Sequence, residues 1–343
     1  MSIIYFILVL TITVMVHELG HFLLAKKNGV YVYEFSIGMG PKLFSKKKGE
    51  TEYSVRMLPI GGYVSMAGED MESSDSVPKD RQLCNKSILA RFLTMIAGIS
   101  FNIIFAIILL FIVYIIAGTP KDDTMINNIA SEYPIYNTNI KIGDVITKID
   151  GVKVSSYEDI ALELTVKSGK NVDITVMHKD KSIETVNVKP IYTERAGESG
   201  YSYGFSLENK RAHGLFNAFK YSFKQTKNLV CQMYRILYYL VTGNLSLNNL
   251  SGPIGIFKVV DTASQAGFLN IIYLIAYLCI NVAVINLLPF PAFDGGRVLF
   301  LIIEKIKGSK VDPKLENTIH AIGFILLMIL MIYVSFNDIL KLF

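Results

Sequence analysis

The chain has 343 residues, about half of them hydrophobic and only 18% charged, a balance that excludes an ordinary water-soluble globular enzyme and marks a polytopic membrane protein with folded loops. A formal charge of +5 is too small for this length to indicate a nucleic-acid partner. Cys84, Cys231 and Cys279 form neither a C-x-x-C pair nor an even-numbered framework, so neither a disulfide scaffold nor a cysteine zinc site is indicated.

Ser2 to Ala25 is an uncharged-to-apolar run longer than a signal-peptide core and without a basic leader, which predicts a retained membrane span. Near its inner end stands His17-Glu18-Leu19-Gly20-His21. On a helix the two histidines lie one turn apart on one face, so both imidazoles can reach one metal ion. Glu18, beside the first of them, can take a proton from water that a metal has made acidic; together they form the zinc-hydrolase pattern H-E-x-x-H. The plain alternative is three polar residues satisfied by neighbouring helices, but ionisable groups inside a span are expensive without a purpose.

Between this span and the next, Lys26, Lys27, Lys42, Lys46 to Lys48, Arg56, Lys79, Arg81, Lys86 and Arg91 crowd one loop. The positive-inside rule makes that loop cytoplasmic and the N-terminus external. Within it Tyr53 to Met66 alternates in polarity around Gly61-Gly62, predicting a β-hairpin or a pair of short strands. Gly68 to Lys86 reads as an irregular polar connection. The second span, Phe92 to Gly118, carries Asn102, for which packing and substrate contact are both open.

The long external segment contains a compact unit. Short alternating stretches at Asp144 to Ile149, Val172 to Val176 and Ile183 to Val188 surround one helical stretch, Tyr157 to Ser168. Ile142-Gly-Asp-Val-Ile-Thr-Lys-Ile-Asp-Gly151 resembles the signature of PDZ domains, which bind an extended chain by strand addition. Gly214 to Val241 interleaves aromatic residues with Lys220, Lys224, Lys227 and Arg235, the pattern of a helix lying on a membrane face.

A third span runs from Phe268 to about Phe290 and a fourth from Thr318 to Phe336, with Arg297 to Ile306 a helical extension at the membrane surface. The third ends in Asn286-Leu-Leu-Pro-Phe-Pro-Ala-Phe-Asp294-Gly-Gly296, a backbone break tolerable at that depth only when buried in protein or lining a watery cavity. Asp294 is the sole acid there and falls on the side of the histidines, which makes it the candidate third zinc ligand, with a turn or helix cap as the alternative.

His17 to His21, Leu58 to Val64, the PDZ-like insert, Ser251 to Gly255 and Asn286 to Gly295, in that order, resemble the site-2 protease family, and more narrowly its bacterial regulator of sigma-E protease subfamily with one PDZ domain. The resemblance implies an intramembrane zinc metalloprotease holding one Zn2+ on His17, His21 and Asp294, with Glu18 as general base. It also implies that Asn286 and Asn102 position the substrate, and that the strands near Gly61 and Gly62 extend it. Implied substrates are single-span membrane proteins already shortened outside, such as anti-sigma factors or remnant signal peptides, in a bacterial plasma membrane. The expected fold is therefore a polytopic α-helical membrane protein of about four spans with a membrane-associated β-hairpin and an inserted extracytoplasmic PDZ-like α/β domain. Its parts are residues 1–118 with the first two spans and hairpin, 119–192 the PDZ-like domain, 193–267 the amphipathic helix and connector, and 268–343 the last two spans. A membrane zinc transporter or sensor, or a PDZ scaffold, would share the same polar groups but has little use for Glu18.

Overall fold

The computed structural model describes residues 2–69, 76–195, 198–207 and 210–341. Its α-helices are α1 (Ser2–Lys27), α2 (Ile88–Ala117), α3 (Tyr157–Val166), α4 (Leu215–Val241), α5 (Pro253–Gln265), α6 (Phe268–Leu287), α7 (Asp294–Lys307) and α8 (Pro313–Leu340). Of these α1, α2, α6 and α8 are long and apolar enough to cross a bilayer, one for each expected span. α6 stops at Leu287, short of the expected limit near Phe290: Leu288 is extended, as a residue before proline prefers, and Pro289 has no N–H to continue the helix. The expected surface run Arg297 to Ile306 lies inside α7.

The chain forms two compact units, Met1–Leu110 with Ser246–Phe343, and Phe111–Leu245. In the first, α1 and α2 approach closely because Gly20 has no side chain; a Cβ there would lie 2.5 Å from the carbonyl oxygen of Ala97. Small residues at such a crossing let backbones meet where lipid supplies no hydrophobic drive. A core of Ala25, Val30, Val32, Val64, Leu83 and Met95 then joins α1 and α2 to the strands.

Those strands are β1 (Val32–Lys48) and β2 (Thr51–Met66). The hairpin turn is at Gly49-Glu50, with Gly49 at φ +65°, and not at Gly61-Gly62 as expected: the whole of Tyr53 to Met66 belongs to β2. Glu34 to Ile37 has two sets of partners, Gly62 to Ser65 on one side and Glu52 to Val55 on the other. Gly61, at φ +80°, therefore carries β2 across the end of β1 from one flank to the other. Gly62 is required there, since a Cβ would meet the carbonyl oxygen of Ser36 at 2.5 Å. The alternating pattern revealed two short strand segments but not that a third lies between them.

Side chains pin this arrangement. The Glu34 carboxylate accepts from Tyr63 Oη at 2.7 Å and from Arg56 Nη2 at 2.8 and 3.0 Å, and also from the Ser54 hydroxyl. Burial alone would raise its pKa, but these bonds and the guanidinium charge leave it below the usual carboxylate range. At the turn Glu50 is held down to about 2 by hydrogen bonds from Arg81, against a smaller desolvation penalty, with further help from Lys26.

In the second unit a four-stranded antiparallel sheet has the order Val152–Lys153, Val145–Ile149, Val172–Met177, Ile183–Val188. Its inner face buries Ile146, Ile149, Val172, Ile174, Val176 and Val188, and the alternating stretches read from the sequence are its strands. α3 starts where expected, capped by the Ser156 hydroxyl accepting from Asp159 N. α4 fits its polar side to α3: Arg235 pairs with Glu163 at 3.1 Å and Asp159 at 3.2 Å, and Gln225 donates to Glu158 at 2.7 Å. That leaves Phe216, Phe219, Phe223 and Tyr238 exposed.

His178 closes the sheet's outer end, with Nδ1 2.8 Å from Asp144 Oδ2 and Nε2 3.3 Å from Glu184 Oε2. Desolvation pulls its pKa down, but bonding to the two carboxylates outweighs that and the net shift is upward. Such a contribution is fully present below about pH 6.5 and fades as pH rises through the folded-state value. His178→Gln should weaken amide-exchange protection of Val172–Met177 and Ile183–Val188 at pH 5.5 and have little effect at pH 9. Equal loss at both pH values contradicts the assignment.

Candidate metal centre

α1 carries His17 and His21 on one buried face, and the N-terminus of α7 brings Asp294 to them. The three ligand atoms form a near-equilateral triangle: His17 Nε2 to His21 Nε2 is 3.1 Å, and Asp294 Oδ2 lies 3.1 Å from the first and 3.2 Å from the second. Among the described residues this is the only group of histidine, cysteine and acidic side chains so disposed. The expected trio is thus brought together from helices distant in sequence.

The geometry tests whether a zinc ion fits. Tetrahedral N and O donors at 2.0–2.1 Å from zinc are roughly 3.3 Å apart, close to the triangle found here. The protonation pattern agrees. His21 Nδ1 donates to the carbonyl oxygen of Thr94 at 2.8 Å, which fixes the tautomer and leaves Nε2 as a bare lone pair aimed at the other two atoms. Asp294 Oδ2 is buried and has no hydrogen-bond donor. Lone pairs converging in a buried place repel one another unless a cation stands between them.

A cavity of about 280 Å³ opens onto the triangle. Glu18, Asn286, Val64, Met66 and Glu69 line it together with the three ligand candidates. Two expected site residues, Glu18 and Asn286, therefore face the same space. Asn102 does not line it; it is fully buried in α2, and among the described residues neither amide atom has a hydrogen-bond partner. Gly61 and Gly62 shape β2, whose following residues Val64 and Met66 form one wall.

Of the residues that support the site, Gly295 and Gly296 were expected only as a backbone break and Arg91 only as loop charge, while Gly98 carried no signal. Gly98 of α2 packs on the imidazoles, and a Cβ there would lie 2.4 Å from His21 Nε2 and 2.7 Å from His17 Cε1. Gly295 and Gly296 let the chain fold back over the start of α7, since a Cβ would meet Leu288 O at 2.3 Å at the first and Phe290 O at 2.4 Å at the second. Arg91 of α2 holds α7 through both carboxylate oxygens of Glu304, at 2.9 and 2.7 Å, with both residues buried. Only a helix-period count relative to the histidine face could have pointed to Gly98, and that requires knowing which helices pair.

Comparison with known proteins assigns the arrangement to a family. Residues 5–330 match the profile of peptidase family M50. The chain belongs to peptidase family M50, the site-2 proteases. It is 38% identical over 338 residues to a protein of Clostridium acetobutylicum, covering 98% of this chain and 97% of that one, and 37% identical over 342 residues to one of Clostridium perfringens, covering 99% of each; both are provisionally named as zinc metalloproteases. Zinc metalloprotease RasP of Oceanobacillus iheyensis is 29% identical over 428 residues, covering 100% of this chain and 99% of that protein. The M50 enzyme described here is a multi-pass membrane zinc metalloprotease, and zinc is its cofactor.

Gly98→Ala should leave the chain folded but displace the imidazoles, lowering zinc affinity by about 10- to 100-fold, the range found when support for a ligand is lost. Chelator competition on purified protein measures it, and unchanged affinity would show that α2 does not hold the histidines in place.

Proposed function

We propose that this enzyme cleaves peptide bonds inside the membrane-spanning segments of single-span proteins that another protease has already shortened, with His17, His21 and Asp294 as the zinc ligands and Glu18 as the general base. The observation that carries this reading is the convergence of three lone-pair atoms from two helices onto a cavity that Glu18 and β2 also line. When bound there, zinc supplies Lewis acidity, polarising a carbonyl and making water acidic near neutral pH. Two neutral imidazoles and one carboxylate cancel only half of a divalent charge, so that acidity is retained.

Glu18 accepts the proton of the attacking water and returns it to the nitrogen of the departing strand. Asn286, which lines the cavity, is the proposed donor of amide hydrogens to a substrate carbonyl. A helical substrate hides its carbonyls in its own hydrogen bonds and must open locally before attack. Gly62–Met66 supports such an opened chain: β1 pairs with it on one side, and among the described residues no strand pairs with it on the other. Main-chain pairing there would hold the substrate extended beside the histidines. Asn102, though absent from the cavity lining, has two unpartnered amide atoms that a substrate or a moved side chain could satisfy.

The second unit is the proposed filter. Its sheet and α3 suit a PDZ-like domain that receives the shortened end of a substrate, and the exposed aromatic side of α4 with Lys220 and Lys227 suits the membrane face. By the positive-inside rule, the basic loop between α1 and α2 supports a cytoplasmic metal centre and an external second unit in a bacterial plasma membrane. Anti-sigma factors and remnant signal peptides have the required single-span form.

Glu18→Gln separates proteolysis from transport, sensing or scaffolding. The variant should bind zinc in the same amount as the natural enzyme and cut a truncated single-span substrate at least 10²-fold more slowly, the contribution of a general base. If both proteins cut equally, or neither cuts, the proposed chemistry fails.

A further inference from the structure

Asp294 is the one proposed ligand that does not sit inside a membrane span; it opens α7 immediately after an irregular turn, so its aim depends on what fixes that turn. Among the described residues other than glycine, only Asp150, Lys181 and Ala292 have positive φ, and Ala292, at φ 79°, is two positions before Asp294. A left-handed alanine is strained by its Cβ and gains nothing from a polar side chain of its own. Something else must hold it.

α8 supplies the hold. The backbone N–H of Ala292 donates to His320 Nδ1 at 3.0 Å, across 28 positions of sequence. One turn further along α8, Gly323 receives Pro291 so closely that a Cβ there would lie 2.5 Å from Pro291 Cβ and 2.6 Å from its carbonyl oxygen. The imidazole also packs on Phe300 of α7, with ring centroids 5.6 Å apart. Since Nδ1 accepts, the ring proton is on Nε2, which is buried and makes no hydrogen bond among the described residues. That unsatisfied donor is a local cost, and it is tolerated where the acceptor on the other nitrogen is needed.

We infer that His320 is a positioning residue of the metal centre: by accepting the Ala292 N–H it fixes the left-handed turn that aims the Asp294 carboxylate at the two histidines. Together with the packing of Gly323 on Pro291, this bond ties the fourth span to the assembly of the site. The inference rests on the reading of Asp294 as a zinc ligand.

Zinc affinity of the full chain in detergent, measured by competition with a chromophoric chelator, tests it with four variants. His320→Phe, which keeps a ring against Phe300 but removes the acceptor, should weaken zinc binding about 10- to 100-fold. His320→Asn, whose amide oxygen can take the place of Nδ1, should restore most of that loss. Adding Ala292→Gly to His320→Phe should also recover affinity, because glycine adopts the left-handed turn without being held. A role limited to packing α8 predicts no rescue by Ala292→Gly, and that result would overturn the inference, as would unchanged affinity in His320→Phe. Asp294→Asn is the separate control: if it binds zinc as tightly as the natural enzyme, the reading of Asp294 fails, whereas full loss there with no effect at His320 overturns only the positioning role.

Discussion

Two imidazoles and a carboxylate buried at the depth of a membrane span are tolerable only when each satisfies the others, or a cation satisfies all three. The first unit is arranged around that requirement. His21 gives its one proton to Thr94 O, and its other nitrogen is left facing His17 and Asp294 across about 3 Å. A shared cation would satisfy all three at once and make a tight site that two helices close together.

Closeness on that scale is a matter of missing atoms as much as of ligands. Gly20 brings α1 against Ala97 of α2, Gly98 lets the imidazoles lie on α2, and Gly295 and Gly296 allow the break after α6 to fold back over the start of α7. Gly20, Gly295 and Gly296 work by removing a methyl-sized obstacle at a backbone crossing, where a clash with a carbonyl could not be relieved by turning a side chain, and Gly98 makes room for the rings themselves. The ion pair of Arg91 and Glu304 then fixes α7 against α2; burial makes such a pair costly to break from one side, whatever its net contribution.

The strands follow a different logic. Among the described residues no strand pairs with the Gly62–Met66 flank of β2 beside the metal cavity, while the Glu34 network locks the other parts of the sheet together. In the proposed reading, where this wall receives an extended chain, such rigidity avoids ordering the wall at the expense of binding energy. In the second unit the same economy is reached by sheet packing, and α4 spends its polar side on α3, which leaves its aromatic side turned away from the protein core.

The sequence by itself determined the four candidate spans, the strand segments and helices of the second unit, and the residue types of the candidate metal centre. These rest on local periodicity and on residue types too costly in lipid to be incidental. It placed His17 and His21 on one face because four residues make about one helical turn, and no tertiary information is needed for that. Only the tertiary structure decided where the hairpin turns, because alternation marks strands without saying which segments pair; Gly61-Gly62 looks like a turn and is a crossing. Only it could bring Asp294 within 3.2 Å of imidazoles on another helix, reveal that Gly98 lies beneath them, and leave Asn102 outside the cavity. Those are contacts between segments far apart along the chain, and a pattern read along one strand or helix carries no record of its neighbour.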